Sequence, residues 1–510
     1  MYTFSSKLKT FSFILMILGL VGIGIGFMAA PKTIEDVEKI LANSHHEGNH
    51  SAAPAHGEVV HAIEEGKDAV EHGETKVSDS DVTTLAAHAD ASVNNVDSSS
   101  VHADVSHDVV AEPAAHSDNH DAHATADAHS HDDHTAHLEH VLHQLQNKPW
   151  AALYVACIFF MLISVGVLAF YAIQYAAQAG WSPILFRVME GITAYLLPGS
   201  IIFFLFLVIT GAHVFEGNHL FVWMNPDVIN PEHADFDKLI FNKKGWLNVV
   251  RFLVTAAIFL AVWNWVRFKF RQNSIAQDTA TDNAPYKRNF KLAAFFLVFF
   301  IVSESIMSWD WIMSVDPHWY STLFGWYVFA SFFVSGITVI AMITLYLKSK
   351  GYLEHVNTSH IHDLAKFMFG ISIFWTYLWF SQFMLIWYSN IPEEVTYYVT
   401  RIEHYKLPFF GMLALNFIFP LLILINTDFK RLTWIVVMAG IVILFGHYID
   451  FFNMIMPATV GDQWFIGIPE ISSLMFFLGL FIFIVFSALT KAPIEPKGNP
   501  FIEESKHFHY

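Results

Sequence analysis

Long apolar runs constrain this chain of 510 residues more than any other feature of its sequence. Several of the runs approach or exceed the roughly 20 residues that a helix needs to cross a bilayer core of about 30 Å. Hydrophobic residues make up 54% of the chain and charged residues only 15%. A soluble fold could not bury so many long apolar segments, so the sequence predicts an all-α integral membrane protein.

The apolar runs predict about ten transmembrane helices. The first is Phe11–Ala30, which follows two lysines and is expected to stay attached as an anchor. The other nine are Trp150–Ala176, Ile192–Val214, Val249–Val266, Leu292–Met307, Leu323–Leu347, Phe367–Tyr388, Phe409–Ile425, Trp434–Phe452 and Ile471–Leu489. Pro198 and Pro420 lie inside two of these helices and are expected to kink them.

The segment 31–148 differs from the rest of the chain in composition. It holds 23 Asp and Glu against 5 Lys, so it accounts for the whole net charge of −18, and residues 31–147 contain no Trp, Tyr or Phe. This composition predicts a largely disordered linker, with short helical stretches at Thr33–Ala42 and His134–Gln146. We therefore divide the chain into an anchor (1–30), an acidic His-rich linker (31–148), a nine-helix membrane domain (149–490) and a tail (491–510).

The distribution of Lys and Arg predicts the orientation in the membrane. If the N-terminus is cytoplasmic and the helices alternate, 17 Lys and Arg face the cytoplasm and 6 outside the linker face the other side. Both termini are then cytoplasmic and the His-rich linker is periplasmic. The sequence contains no basic patch of the kind that nucleic-acid binding requires.

Ionisable residues inside or at the ends of the predicted helices are candidates for function, because charged groups are costly in a bilayer. Six of them lie in the last third of helices that run outward, and we predict that they form a proton pathway. They are His213, Glu216, Glu304, Asp310, His447 and Asp450. Glu304 is expected to be the deep relay, with His447 and Asp450 continuing outward. Gln382 adds a polar side chain to the seventh helix.

The sequence predicts no cofactor bound by this chain. The single cysteine, Cys157, excludes an iron–sulfur cluster or a Cys-ligated zinc site within the chain, and its intramembrane histidines are too few for a haem–copper site. The linker holds 18 of the 29 histidines. We interpret them as a solvated tether that buffers protons or metal ions, and the alternative is a dedicated metal role. No metal site and no catalytic residue is assigned.

Two runs of the sequence resemble a known family. Met307–Tyr327 and Phe374–Glu394 are similar to hallmark segments of the second NrfD-like membrane subunit (ActF type) of bacterial alternative complex III, a quinol:electron-acceptor oxidoreductase. The resemblance covers residues 150–490. The family pattern does not include the His-rich insert.

The resemblance implies two four-helix bundles side by side, with two peripheral helices, in the bacterial inner membrane. It also implies partners: a paralogous NrfD-like subunit, an iron–sulfur subunit and multihaem cytochromes that carry the iron–sulfur clusters and haem c. The complex oxidises menaquinol or ubiquinol, whereas this subunit supports assembly and proton movement. Any quinone-binding residues of this chain stay unassigned. Two alternatives stay open, namely a secondary metal-ion transporter and a purely structural scaffold.

Overall fold

The computed structural model describes residues 1–47 and 122–509, and in these ranges it consists of helices and loops without a β-strand. Within these ranges, ten helices are long and apolar enough to cross a membrane, as the sequence predicts. We number them in chain order as α1 (Ser6–Ala29), α2 (His137–Ala176), α3 (Pro183–Gly211), α4 (Val249–Gln277), α5 (Ala284–Val315), α6 (Phe324–Ser349), α7 (Thr358–Ser389), α8 (Lys406–Leu424), α9 (Thr433–Val460) and α10 (Ile468–Leu489).

In the described ranges, four shorter α-helices lie outside these ten segments. They are Ile34–Glu47, Lys238–Asn242, Pro392–Glu403 and Ile502–Lys506. The helix that contains α2 begins at Ala122, so it includes the predicted helical stretch His134–Gln146 and starts well before the predicted Trp150. The predicted disorder of the linker concerns mainly residues 48–121, which lie outside the described ranges.

The ten helices pack as two groups of four and a peripheral pair, α1 and α10. Helices α3, α4 and α5 pack on one another, and α6, α7, α8 and α9 form the second group. Helix α2 completes the first group and lies against α6, where Gly166 and Gly336 allow the two backbones to approach closely. Helices α2 and α6 occupy the centre. In their most apolar segments, 94% and 89% of the residues are therefore buried. We call α2–α5 the first bundle and α6–α9 the second bundle.

Alternation of the helices gives the molecule two distinct ends. One end, which we call the loop end, carries residues 212–248, 316–323, 390–405 and 461–467, and these segments contact each other through pairs such as Trp319 and Tyr397. The opposite end carries the C-terminal segment, where Ser505 accepts a hydrogen bond from the Ile184 amide. We call it the C-terminal end.

Proline changes the helix geometry at the two predicted positions. A 3₁₀ turn, Thr193–Tyr195, precedes Pro198 in α3, and a π-helical turn, Ala414–Ile418, precedes Pro420 in α8. Proline has no amide hydrogen to donate and its ring crowds the preceding turn, so the backbone tightens or widens there. The wide turn in α8 matters for function because it sets the position of Asn416.

A stripe of glycines joins α1 to α10. Gly19, Gly22 and Gly26 face α10, and a Cβ atom at any of them would overlap Phe476, Ser472 or Pro469. Small residues let two apolar helices approach closely where no hydrophobic effect between helices operates, so van der Waals contact holds the pair together. Gly24 faces open space. The packing of α1 therefore depends on one face of the helix.

Gly22→Leu should detach α1 from α10, because the side chain of Ser472 occupies the space that the leucine needs. We expect a loss of about 1–3 kcal/mol, typical of overpacking, measured as a lower thermal unfolding midpoint in detergent. Gly24→Leu is the matched control and should leave the midpoint unchanged. Equal effects of the two variants would contradict this packing.

Candidate functional site

A buried polar group lies inside the second bundle, around Asp450 of α9. Both His447 and Asp450 have no solvent-exposed surface, and the carboxylate accepts hydrogen bonds from three different side chains. The Tyr327 hydroxyl donates to Oδ1, while the Ser331 hydroxyl and the Trp375 indole N–H donate to Oδ2 at 2.7 and 2.8 Å. We call these five residues the Asp450 group.

Hydrogen bonding assigns the proton positions in the Asp450 group. The Ser331 hydroxyl donates to Asp450, so its oxygen is left to accept from His447 Nδ1, which lies 2.9 Å away. Ser331 thus bridges imidazole and carboxylate, whose closest atoms are 3.6 Å apart. This assignment leaves His447 Nε2 as the acceptor nitrogen, and that buried atom has no partner in the described part of the chain. The group can accept a proton there.

The π-helical turn of α8 brings Asn416 to the same place. Its amide nitrogen lies 3.5 Å from His447 Nδ1, but both nitrogens are donors in the assignment given above, so the two groups are in contact without sharing a hydrogen bond. A Cβ atom at position 446 would overlap Asn416, so Gly446 allows α8 to approach α9. Such turns add one residue to a helical turn and commonly occur at functional sites. All four helices of the second bundle therefore contribute to this site.

Glu304 lies in the first bundle and has a simpler environment. Its carboxylate is buried and accepts hydrogen bonds from the hydroxyls of Ser308 and Ser305 at 3.2 and 3.3 Å, both from its own helix. No Lys, Arg or His forms an ion pair with Glu304 in the described ranges. Glu304 and the Asp450 group are on different bundles, so the six predicted residues do not form one cluster.

Asp310 is held by an ion pair at the loop end of α5. Arg251 Nη1 lies 2.6 Å from its Oδ1 atom, and the Trp246 indole donates to the same oxygen at 3.0 Å. The other carboxylate oxygen is buried and has no protein partner among the described residues. Arg251 lies in the first turn of α4, so this pair fixes the loop end of α4 against that of α5.

The prediction that His213 and Glu216 close the third helix is wrong. Helix α3 ends at Gly211, and His213 has a left-handed backbone with a φ of 50°. The amides of His213 and Val214 donate back to Thr210 and Ile209, which is the Schellman arrangement that terminates helices. A histidine in place of the usual glycine hides this signal in the sequence. His213 and Glu216 are exposed, and His213 bonds the Met224 carbonyl.

A second buried network was not predicted, at the C-terminal end of the first bundle. Glu190 accepts hydrogen bonds from Tyr171 at 2.8 Å, from Arg187 at 3.0 Å and from Arg271. Arg187 also forms an ion pair with Asp278 at 2.5 Å. Arg187 and Glu190 are one helical turn apart inside an apolar run, and that spacing is the signal that could have revealed them.

Aromatic side chains close the loop end of the second bundle. The rings of Trp319 and Tyr397 stack with centroids 4.0 Å apart, and the Arg401 guanidinium lies 3.3 Å from the Tyr397 ring centre. Burial raises the pKa of the Tyr397 and Tyr398 phenols, which belong to the short helix Pro392–Glu403. Both phenols therefore stay protonated and can donate as well as accept hydrogen bonds.

One histidine of the linker region, His143, packs against His219 in the loop after α3. The rings of His143 and His219 stack with centroids 4.6 Å apart. Burial lowers the pKa of His219, and the neighbouring His143 and His213 lower it further. Within residues 1–47 and 122–509, no three His, Cys, Asp or Glu side chains are grouped as a metal site would require.

Comparisons with known proteins gave no match, either to a protein-family model or to a curated protein.

Arg251→Met should destabilise the protein, because it leaves the buried Asp310 charge with the Trp246 hydrogen bond alone. We expect about 2 kcal/mol, less than for a fully buried pair since the Arg251 side chain is 25% exposed. Adding Asp310→Asn removes the uncompensated charge and should restore more than half of the loss. The measurement is the thermal unfolding midpoint in detergent. A double variant less stable than Arg251→Met would contradict the pairing.

Proposed function

We propose that this chain is a cofactor-free membrane subunit of a bacterial respiratory quinol:electron-acceptor oxidoreductase of the alternative complex III type. Its role is to support assembly of the complex and to move protons through the second bundle. The Asp450 group is the observation that carries this proposal. A buried imidazole and a buried carboxylate, bridged by a hydroxyl, form a short route along which a proton can pass.

The two sequence runs that resemble the family meet at this group. Tyr327 ends the first run and Trp375 belongs to the second, and both donate hydrogen bonds to Asp450. Trp319 and Gln382, also from these runs, lie next to the same end of the bundle. The two runs therefore supply two of the three donors to Asp450, which supports the family assignment, whereas Ser331, His447 and Asp450 lie outside the runs.

Proton movement follows from the donors and acceptors in the Asp450 group. His447 takes a proton on Nε2, and its Nδ1 proton passes to the Ser331 oxygen while the Ser331 proton passes to Asp450. No charge remains on the serine, because it gains and loses one proton. Glu304 and Asp310 belong to a separate arm in the first bundle, where the Ser305 and Ser308 hydroxyls orient the Glu304 carboxyl group.

The excess of Lys and Arg at the C-terminal end supports an orientation with this end in the cytoplasm. The loop end then faces the periplasm, and so does the His-rich linker. The proposed partners are the paralogous NrfD-like subunit, an iron–sulfur subunit and multihaem cytochromes, which carry the haem c and the iron–sulfur clusters. Menaquinol or ubiquinol is the proposed electron donor of the complex.

A structural scaffold is the second candidate, and one observation favours it. Asp450 has three donors from α6 and α7, enough to satisfy an ionised carboxylate that only fixes helix positions. The two candidates differ in what they expect of neutral replacements. A scaffold requires the hydrogen bonds, whereas a relay also requires the titrating group.

Asp450→Asn and Glu304→Gln keep the side-chain shape and remove the titrating group. In the intact complex oxidising a short-chain quinol in proteoliposomes, we expect Asp450→Asn to slow proton release by about tenfold or more, within the range of lost acid–base groups. Glu304→Gln should lower proton release per electron. Asp462→Asn, an exposed carboxylate at the loop end, is the control. Parent-like proton release in both variants, with normal assembly, would favour the scaffold.

Cysteine labelling tests the orientation. In a Cys157→Ala background, a membrane-impermeant maleimide added to whole spheroplasts should label Asp462→Cys at the loop end and leave Lys497→Cys at the C-terminal end unlabelled. Both positions are exposed, so access depends on the side of the membrane alone. The reverse pattern would contradict the proposed direction of proton movement.

A further inference from the structure

A small enclosed cavity lies at the loop end of the second bundle, next to the Asp450 group. Its volume of about 10 Å³ leaves room for about one water molecule. Side chains from all four helices of the second bundle and from the short helix Pro392–Glu403 surround it. The polar ones are Tyr327, Gln382, Tyr397, Tyr398, Arg401 and Asn453. Tyr327 thus reaches the cavity on one side and Asp450 on the other.

Two buried acceptors at this cavity have no partner among the residues that the structure describes. They are Oε1 of Gln382 and Oδ1 of Asn453, whose side chains are 3% and 2% exposed. The Asn453 amide nitrogen is committed to the Pro408 carbonyl at 3.0 Å, so the orientation of this amide is fixed. An unpaired buried acceptor is unfavourable, so an occupant that donates hydrogen bonds is favoured.

Arg401 decides which donor fits. Its guanidinium is 3% exposed and donates to the backbone carbonyls of Asn453 and Tyr397 at 3.0 and 2.8 Å. Arg401 forms no ion pair with a carboxylate in the described part of the chain, unlike the arginines of the first bundle. A fixed positive charge in the cavity wall repels a resident sodium, potassium or ammonium ion. The two orphan oxygens in turn repel an anion, which leaves a neutral water molecule.

We propose that this cavity binds one water molecule, held by Gln382 and Asn453, and that this water receives protons from Asp450 through Tyr327. The inference rests on the proposed function of the Asp450 group and adds the step that follows it. The proton arrives on Oδ2 through Ser331, whereas Tyr327 contacts Oδ1, so the carboxyl group first rotates to present the proton to the Tyr327 oxygen. The phenol then gives its own proton to the water. The phenol therefore stays neutral, and one proton has moved outward.

Gln382 and Asn453 are positioning residues in this step, since they orient the water but do not carry the proton. Arg401 makes the water a transit point, because an excess proton beside a fixed cation is released rather than stored. Gln382 is the polar residue of the seventh helix that the sequence singled out without a role. Its position beside Tyr327 gives it one.

Gln382→Met tests the inference, because methionine keeps the length of the side chain and cannot hold the water. Cryo-EM of the complex, at a resolution that shows ordered water, should show density about 2.7–3.2 Å from both orphan oxygens in the parent. That density should be lost in Gln382→Met, and proton release with a short-chain quinol should slow by about tenfold. Thr376→Val, on the same helix and bonded to its own backbone, should match the parent.

Two outcomes overturn the inference. The first is that the parent shows no water density near the two orphan oxygens, and the second is that proton release in Gln382→Met stays at the parent level. Comparison with Asp450→Asn in the same assay separates this failure from failure of the proposed function. If Asp450→Asn slows proton release and Gln382→Met does not, the water step alone is wrong. If neither variant slows it, the proton route through the second bundle is wrong as well.

Discussion

A carboxylate buried inside a membrane bundle needs hydrogen-bond donors, and where these donors lie on other helices the requirement organises the structure. Asp450 takes its donors from α6 and α7, and Glu190 takes its donors from α2, α3 and α4. Each carboxylate therefore fixes how three helices pack. An unpaired charge at either place would cost several kcal/mol, so these contacts define the register of the helices as well as the chemistry.

The carboxylates differ in how completely they are satisfied, and this difference separates structural from functional roles. Glu190 is held by two arginines and a tyrosine, an arrangement suited to a permanent charge. Glu304 has only two serine hydroxyls from its own helix. Asp450 lies between these cases, because its donors are neutral and a histidine is adjacent. At Asp450 and Glu304, unlike at Glu190, protonation can change without leaving an arginine unpaired.

Much of the fold could be predicted from sequence, because each membrane helix leaves its own apolar run. The number of helices and their order follow from that local signal. The irregular turns before the two prolines follow from the missing amide hydrogen of proline. The start of the second helix was missed because the residues before Trp150 form a polar extension of the helix. A search for long apolar runs finds only the apolar part of such a helix. The end of the third helix was missed because His213 adopts a backbone usually reserved for glycine.

The site was only partly predictable for a different reason. Spacing along one helix revealed His447 and Asp450, which lie three residues apart and share a face. Their partners Ser331 and Asn416 come from other helices, and lateral packing leaves no mark in a single sequence. Ser331 is one of many small hydroxyl residues in apolar helices, and Asn416 depends on a π-helical turn. Sequence thus gave the titrating groups, and the structure gave their connection.

Isotope-edited infrared difference spectroscopy tests the proposed relay most directly. The complex would carry aspartate labelled at the side-chain carboxyl, and spectra would be compared before and during quinol oxidation. The proposal predicts that a carboxyl band, assigned to Asp450 by its loss in the asparagine variant, changes between its protonated and ionised positions during turnover. A band that stays in the ionised position throughout would contradict the relay and leave Asp450 as a structural anchor.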